Sequence, residues 1–321
     1  MKKKTSRLSP ALRRQASADM TRYYMNSYWS EWRYVKVLTL QKLLRTKYDF
    51  YQSVTEELYK EPHEATIAQE ITHGLYYDTI AQCIQYIEDL FALIRASRDP
   101  DYFIKNIVTY QAGQITNLIK GFKVDDKSLG EAFHYPHVLL FPNDKDRKAY
   151  EAGKMKLKEI IGEILDFYRE YEFFYIQYKH GLTIPIRPFG NVFSEEQVEK
   201  DKAGEFHPYL AVFDNFNLHA ASQRNTFNTT HGNLMPGWTP AVMSCIGDLH
   251  DEDNYLRFVF PPDIDVTMDI YVSIAMKIKY CINIFKNNYL QKIDQSIDVN
   301  KFQLPIDPQS NEVLNISFEQ S

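Results

Sequence analysis

Glycine and cysteine are scarce in this chain: its 321 residues include 12 Gly and 3 Cys. So few glycines argue against a turn-rich β protein and in favour of long helices. Cys83, Cys245 and Cys281 are far apart, odd in number and without CxxC spacing. That pattern argues against a disulfide framework and against a cysteine-built zinc site. Long apolar runs are missing as well: no stretch reaches the roughly 18 consecutive apolar residues that a spanning helix needs. The amino-terminal segment begins with lysines, as a secretory leader does, but has no apolar run behind them. These absences lead to the expectation of an intracellular, cytoplasmic protein with no membrane span.

Aromatic side chains and an uneven charge distribution are what the chain has in quantity. There are 23 Tyr, 20 Phe and 3 Trp, 14% of the residues. A buried tyrosine needs a partner for its hydroxyl, so an interior of this kind has to be hydrogen-bonded as well as packed. The net charge is −5, yet Lys2, Lys3, Lys4, Arg7, Arg13 and Arg14 all precede the first acid, Asp19. A basic tail on an acidic body can touch RNA or an anionic surface, or can simply be solvated.

Apolar periodicity predicts long helices. The first, about 21–60, carries Trp29, Trp32, Val35, Leu40, Leu43 and Leu44 as its stripe, and Pro62 follows it. A second over 64–98 steps through Ile80, Ile84, Ile87, Phe91 and Ile94, and a third is expected over 101–120. Residues 124–146 read as loop with room for a short helical turn, and 143–146 can cap a helix over 147–180. Pro185 and Pro188 then break the pattern, and residues 209–213 and 255–260 read as short strands. A final helix over 265–293 is apolar almost all round, the mark of a central position. The expected fold class is mainly α: four to five long helices with a small β-containing insertion before the last. In outline, 1–20 is a basic flexible tail, 21–181 a helical bundle, 182–262 the insertion, 263–295 the last core helix and 296–321 a tail.

Several residue patterns suggest chemistry, and each has a plainer explanation. Glu70 and His73 form an E-x-x-H pair on one helical face, but a bundle di-iron site needs two such pairs plus a Glu from each of two more helices, and an exposed polar face explains the pair more simply. His134 and His137 could share a metal, although Pro136 between them equally suggests a rigid turn. Asp248, His250, Asp251, Glu252 and Asp253 form an oxygen-rich cluster that lacks the glycine and ligand order of a calcium loop. Tyr23, Tyr24, Tyr28, Trp29, Trp32 and Tyr34, interleaved with Arg22 and Arg33, could stack on bases or on neighbouring helices. No cofactor and no metal site is expected from these patterns.

The end of the long fourth helix, Tyr168 to Gly181, places Tyr171, Tyr175 and Tyr178 on one face. Lys179 and His180 fall where the helix carbonyls favour positive charge. This Tyr-x-x-Tyr-Lys-His-Gly ending resembles the corresponding helix of bacterial HEPN-like proteins, including those linked to abortive phage infection. The segment Arg224 to His231, with six residues between Arg and His, is similar to the loose R-x(4–6)-H pattern of HEPN-type ribonucleases. The resemblance implies a helical fold, a homodimer and metal-independent RNA cleavage at Arg169, Lys179 and His180, or alternatively at Arg224 and His231. The chain departs from that pattern: Arg169 lies far ahead of His180, and Lys179 cannot make the bidentate phosphate contact of a guanidinium. No pattern here has the specificity of a P-loop or a nucleophile elbow. The expected function is therefore a helical binding or interaction protein, with a HEPN-type ribonuclease in phage defence as the alternative. RNA at the basic tail and a second copy of the chain are the expected partners, and a small-molecule ligand is left open.

Overall fold

A computed structural model describes residues 9–45, 64–136, 141, 143–180, 210–214, 239–245, 255–260, 264–294, 303–305 and 313–315. Of residues 64–73, 264–266, the strands, and 173, 174, 177 and 180, it describes the backbone alone. The described part is mainly helical. Its helices are α1 (Pro10–Ser27), α2 (Trp32–Arg45), α3 (Glu64–Ser97), α4 (Phe103–Val108), α5 (Ala112–Gly121), α6 (Asp126–Phe133), α7 (Asp144–His180) and α8 (Ile264–Ile293). Among the described residues, no helix is long and apolar enough to cross a membrane.

Local sequence explains three of the helix starts. Ser9 accepts the Leu12 N–H in front of α1, with Pro10 at the first helical position where its missing N–H costs nothing. Asp125 accepts the Ser128 N–H at 2.7 Å to open α6. Asn143 opens α7: its Oδ1 accepts from the Asp146 N–H at 2.9 Å while its Nδ2 donates to the Asp146 carboxylate at 2.6 Å. The capping side chain expected within 143–146 is thus Asn143, and the helix starts at Asp144. It then runs unbroken to His180.

Four expected elements differ. Residues 10–20 are helical, so Arg13 and Arg14 sit on α1 and not in a flexible tail. The expected helix over 21–60 is broken between Ser27 and Trp32. The break is fixed by distant partners: the Tyr86 hydroxyl donates to the Ser30 carbonyl, and the Ser30 hydroxyl donates to Asn283 at 2.8 Å. The expected helix over 101–120 is two helices, α4 and α5. The expected loop over 124–146 holds α6, whose Leu129, Ala132 and Phe133 are buried.

By packing density the described residues fall into two compact units. Met1–Tyr34, Gln85–Phe167 and Ser273–Ser321 form the first, and Val35–Ile84 and Tyr168–Val272 form the second. The first is held by a run of rings: Tyr24 meets Phe103 at 5.9 Å, Phe103 meets Tyr289 at 5.3 Å, and Tyr289 stacks on His134 at 4.8 Å. Arg33 ties Asp89 and Gln85 within it, and Lys277 pairs with Glu163.

The second unit buries Leu40, Leu44, Tyr76, Tyr77, Ile80, Tyr168, Tyr171 and Tyr271. Three of its tyrosines bond to one another through their hydroxyls: Tyr76 and Tyr271 share a hydrogen bond at 2.6 Å, and Tyr271 donates to Tyr171 at 3.1 Å. Gln41 and Arg45 both donate to Asp269 Oδ1, at 2.6 and 2.7 Å. Backbone pairing in this unit joins β1 (Leu210–Asp214), β3 (Tyr255–Phe260) and β2 (Thr239–Cys245), antiparallel and in that spatial order. The rest of residues 182–262 lies outside the described residues.

Candidate functional site

A connected polar arrangement in the first unit lies at the carboxyl end of α6. Helices usually turn out of their last turn through a glycine, because a left-handed backbone crowds any Cβ. Here the residue is His134, at φ 54° and ψ 45°, the one non-glycine with positive φ among the described residues. The Tyr135 N–H returns to the Gly130 carbonyl at 3.0 Å, closing the turn as a Schellman pair does. A residue that costs about 1 kcal/mol at such a position persists when its side chain is well held.

His134 is held on every side. Its Nε2 lies 2.9 Å from Ser97 Oγ, its Nδ1 lies 3.2 Å from Lys292 Nζ, and its ring stacks on Tyr289. The hydrogen-bond network assigns the tautomer. The single hydroxyl proton of Ser97 goes to the Ile94 carbonyl at 2.9 Å, so Ser97 Oγ accepts from Nε2–H. Lys292 donates to the Nδ1 lone pair. The imidazole is neutral, and burial, aided by the Lys292 charge, lowers its pKa to about 3. Asn288, one turn before Lys292, donates to the Phe133 carbonyl at 3.0 Å and satisfies another orphan of the same helix end.

Beneath this turn is a cavity of about 440 Å³, whose lining includes Ser97, Arg98, Glu131, His134, Gln291 and Lys292. A second hollow of about 410 Å³ shares Arg98 and Glu131 and adds Lys123 and Ser128. Each is within the size range of small-ligand sites. Among the described residues no carboxylate pairs with Arg98. Cations therefore outnumber acids along both hollows, on a chain whose net charge is −5.

The arrangement favours binding over nucleophilic catalysis. Because His134 presents Nε2–H to Ser97, it cannot take the serine proton as a base must. With Nδ1 facing an ammonium, it is also poorly placed as a metal ligand, and its companion His137 lies outside the described residues. Among the described residues there is no cluster of three or more His, Cys, Asp or Glu that could hold a metal ion. Cys83 and Cys281 are buried, and burial pushes both thiols up, away from reactive thiolate.

The residues expected from the resemblance sit elsewhere. Arg169 and Lys179 are both exposed on α7, and Lys179 lies over the Tyr175 ring at 5.9 Å. Ten residues separate them, which is about 15 Å along a helix axis, so one phosphate cannot meet both from this helix. His180 ends the α7 backbone. The side chains of His180, Glu70 and His73, and all of Arg224, His231 and residues 248–253, lie outside what is described. Tyr178 donates to Asp78 at 2.8 Å, and its ring meets Tyr77, a packing role. Arg22 is taken by Asp19 and Asp294, and Arg33 is taken by Asp89 and lies over the Trp32 ring at 4.3 Å, so both cations already have partners within the chain.

Sequence reasoning picked out His134 for a different chemistry and missed Ser97, Arg98, Glu131 and Lys292. Ser97 and Lys292 reach the histidine from 37 and 158 residues away, separations that no local pattern reveals. The one available signal was a histidine where a helix end calls for glycine. No family model, no curated protein and no solved structure matches the chain.

Proposed function

We propose that the chain is a helical, non-catalytic binding protein whose ligand is a small oxyanion, a phosphate monoester by preference, held in the cavity beneath His134. The observation that carries this reading is that Arg98 and Lys292 line one cavity, with no carboxylate bonded to Arg98 among the described residues. Two cations, one just past the end of α3 and one on α8, suit a group carrying close to two negative charges better than a single carboxylate. Guanidinium supplies the bidentate contact, and Lys292 keeps two N–H donors after serving His134. Ser97 and the neutral His134 act as scaffolding that fixes where Lys292 points.

The three short strands fit a small β-containing insertion between α7 and α8. The buried, unreactive thiols Cys83 and Cys281 fit a reducing compartment such as the cytoplasm.

Calorimetric titration with inorganic phosphate, glycerol 3-phosphate, citrate and glycerol tests the ligand class. Glycerol 3-phosphate is expected to bind, glycerol is not, and Arg98→Gln is expected to weaken binding by about tenfold or more, as loss of a charge-assisted contact does. Equal affinity in Arg98→Gln would remove this site. The ribonuclease reading is separated by RNA turnover in EDTA with the parent and His180→Ala. We expect no cleavage that depends on His180; turnover abolished by His180→Ala would replace the binding reading.

A further inference from the structure

The outward face of α1 is apolar although the helix is already packed by its other face. Thr21 and Met25 are buried, and the Ser17 hydroxyl contacts the Pro100 and Asp101 carbonyls at 3.1 and 3.0 Å. On the opposite side Leu12, Ala16, Met20, Tyr23 and Ser27 recur at steps of four, four, three and four. At 3.6 residues per turn these fall within an arc of about 80°. Leu12 is 58% exposed, Met20 55% and Tyr23 78%, and Trp29, just past the helix end, is 62% exposed. Single exposed apolar residues need no explanation, but a helical stripe of them on the solvent side does.

Charge identifies the occupant. Lys2, Lys3, Lys4 and Arg7 precede α1 and Arg13 and Arg14 lie on it, Arg14 pairing with Asp101 at 3.4 Å, and the first acid in the sequence is Asp19. Asp19, at the edge of the stripe, pairs with Arg22 at 2.6 Å and accepts a hydrogen bond from Gln15 at 3.0 Å. Leu12 and Met20 offer no ring face on which a base could stack. A lipid interface accepts all of these groups: aliphatic side chains at the acyl boundary, Tyr and Trp at headgroup level, and lysines against anionic headgroups. We infer that the outward face of α1 docks on an anionic lipid surface, with Leu12, Met20, Tyr23 and Trp29 as its buried contacts. The inference is independent of the cavity and its ligand.

Co-sedimentation of the full chain with vesicles of phosphatidylglycerol and phosphatidylcholine, against phosphatidylcholine alone, tests it. The chain is expected to partition onto the anionic vesicles at least about tenfold better, with the difference collapsing at high salt. Leu12→Glu with Met20→Glu is expected to lower that partitioning by about tenfold or more at an unchanged thermal midpoint, since both side chains are exposed. Vesicle binding should also blue-shift tryptophan emission in the parent and less in Trp29→Phe. Anionic-vesicle binding indifferent to the double substitution would overturn the inference. So would RNA binding without vesicle binding, or a self-association that the double substitution abolishes while vesicles are ignored.

Discussion

Helices α6 and α7 both end at a histidine, and the two ends are set up on different terms. After His180 the sequence supplies a glycine; after Phe133 it supplies none, and His134 adopts the left-handed conformation itself. The ending with glycine looks the more purposeful in sequence, with tyrosines, a lysine and a histidine at helical spacing. The other has the defined environment: Ser97, Lys292 and Tyr289 converge on one imidazole above a cation-lined cavity. A residue kept where glycine would be easier marks a side chain with work to do, and this guide differs from a run of suggestive residue types.

The contrast can be broken experimentally. His134→Ala is expected to cost about 3 kcal/mol in urea unfolding, through lost stacking and a buried Ser97 hydroxyl left without its donor. His180→Ala should cost under about 1 kcal/mol, the scale of a cation at a helix end; equal losses would erase the distinction. Acid should produce a loss comparable to that of His134→Ala without mutation. The folded pKa of His134 is lowered to about 3 from the ordinary 6.5, so between those values the unfolded state binds the extra proton. Stability is then complete above about pH 6.5 and falls toward pH 3, by at most ~1.4 kcal/mol per pH unit from this group. His134→Gln should flatten that part of the profile.

Smaller effects sharpen the contrast. Ser97→Ala removes the acceptor of Nε2–H and is expected to cost about 1–2 kcal/mol. His134→Gly loses the same contacts as His134→Ala but relieves the left-handed backbone, so it should be the less damaging of the two by about 1 kcal/mol. Identical losses would show that the turn carries no strain. Arg98→Gln should leave stability within about 0.5 kcal/mol, because the side chain is exposed and pairs with no carboxylate among the described residues, while ligand affinity falls.

The long helices were legible because their periodicity is carried by large side chains over many turns. Ile80, Ile84, Ile87, Phe91 and Ile94 are all buried on α3, as are Ile160, Ile161, Ile164, Leu165, Tyr168 and Tyr171 on α7. The break at 28–31 was not legible, since no glycine or proline marks it and its determinants, Tyr86 and Asn283, are distant in sequence. Trp29 and Val35, expected to face inward, are exposed as a result. Helix α6 is only 8 residues long, too short for periodicity to register against a polar background. The candidate site fared worst: one of its residues was noticed, and its partners lie on elements whose proximity only folding establishes.

Cys83 and Cys281 are fully enclosed, and each belongs to a different unit. In a Cys245→Ser background, the chain therefore carries one silent chemical clock per unit. Alkylation of each thiol can proceed only as fast as its own surroundings breathe, and peptide mapping of the label over time would read the two opening rates from a single sample.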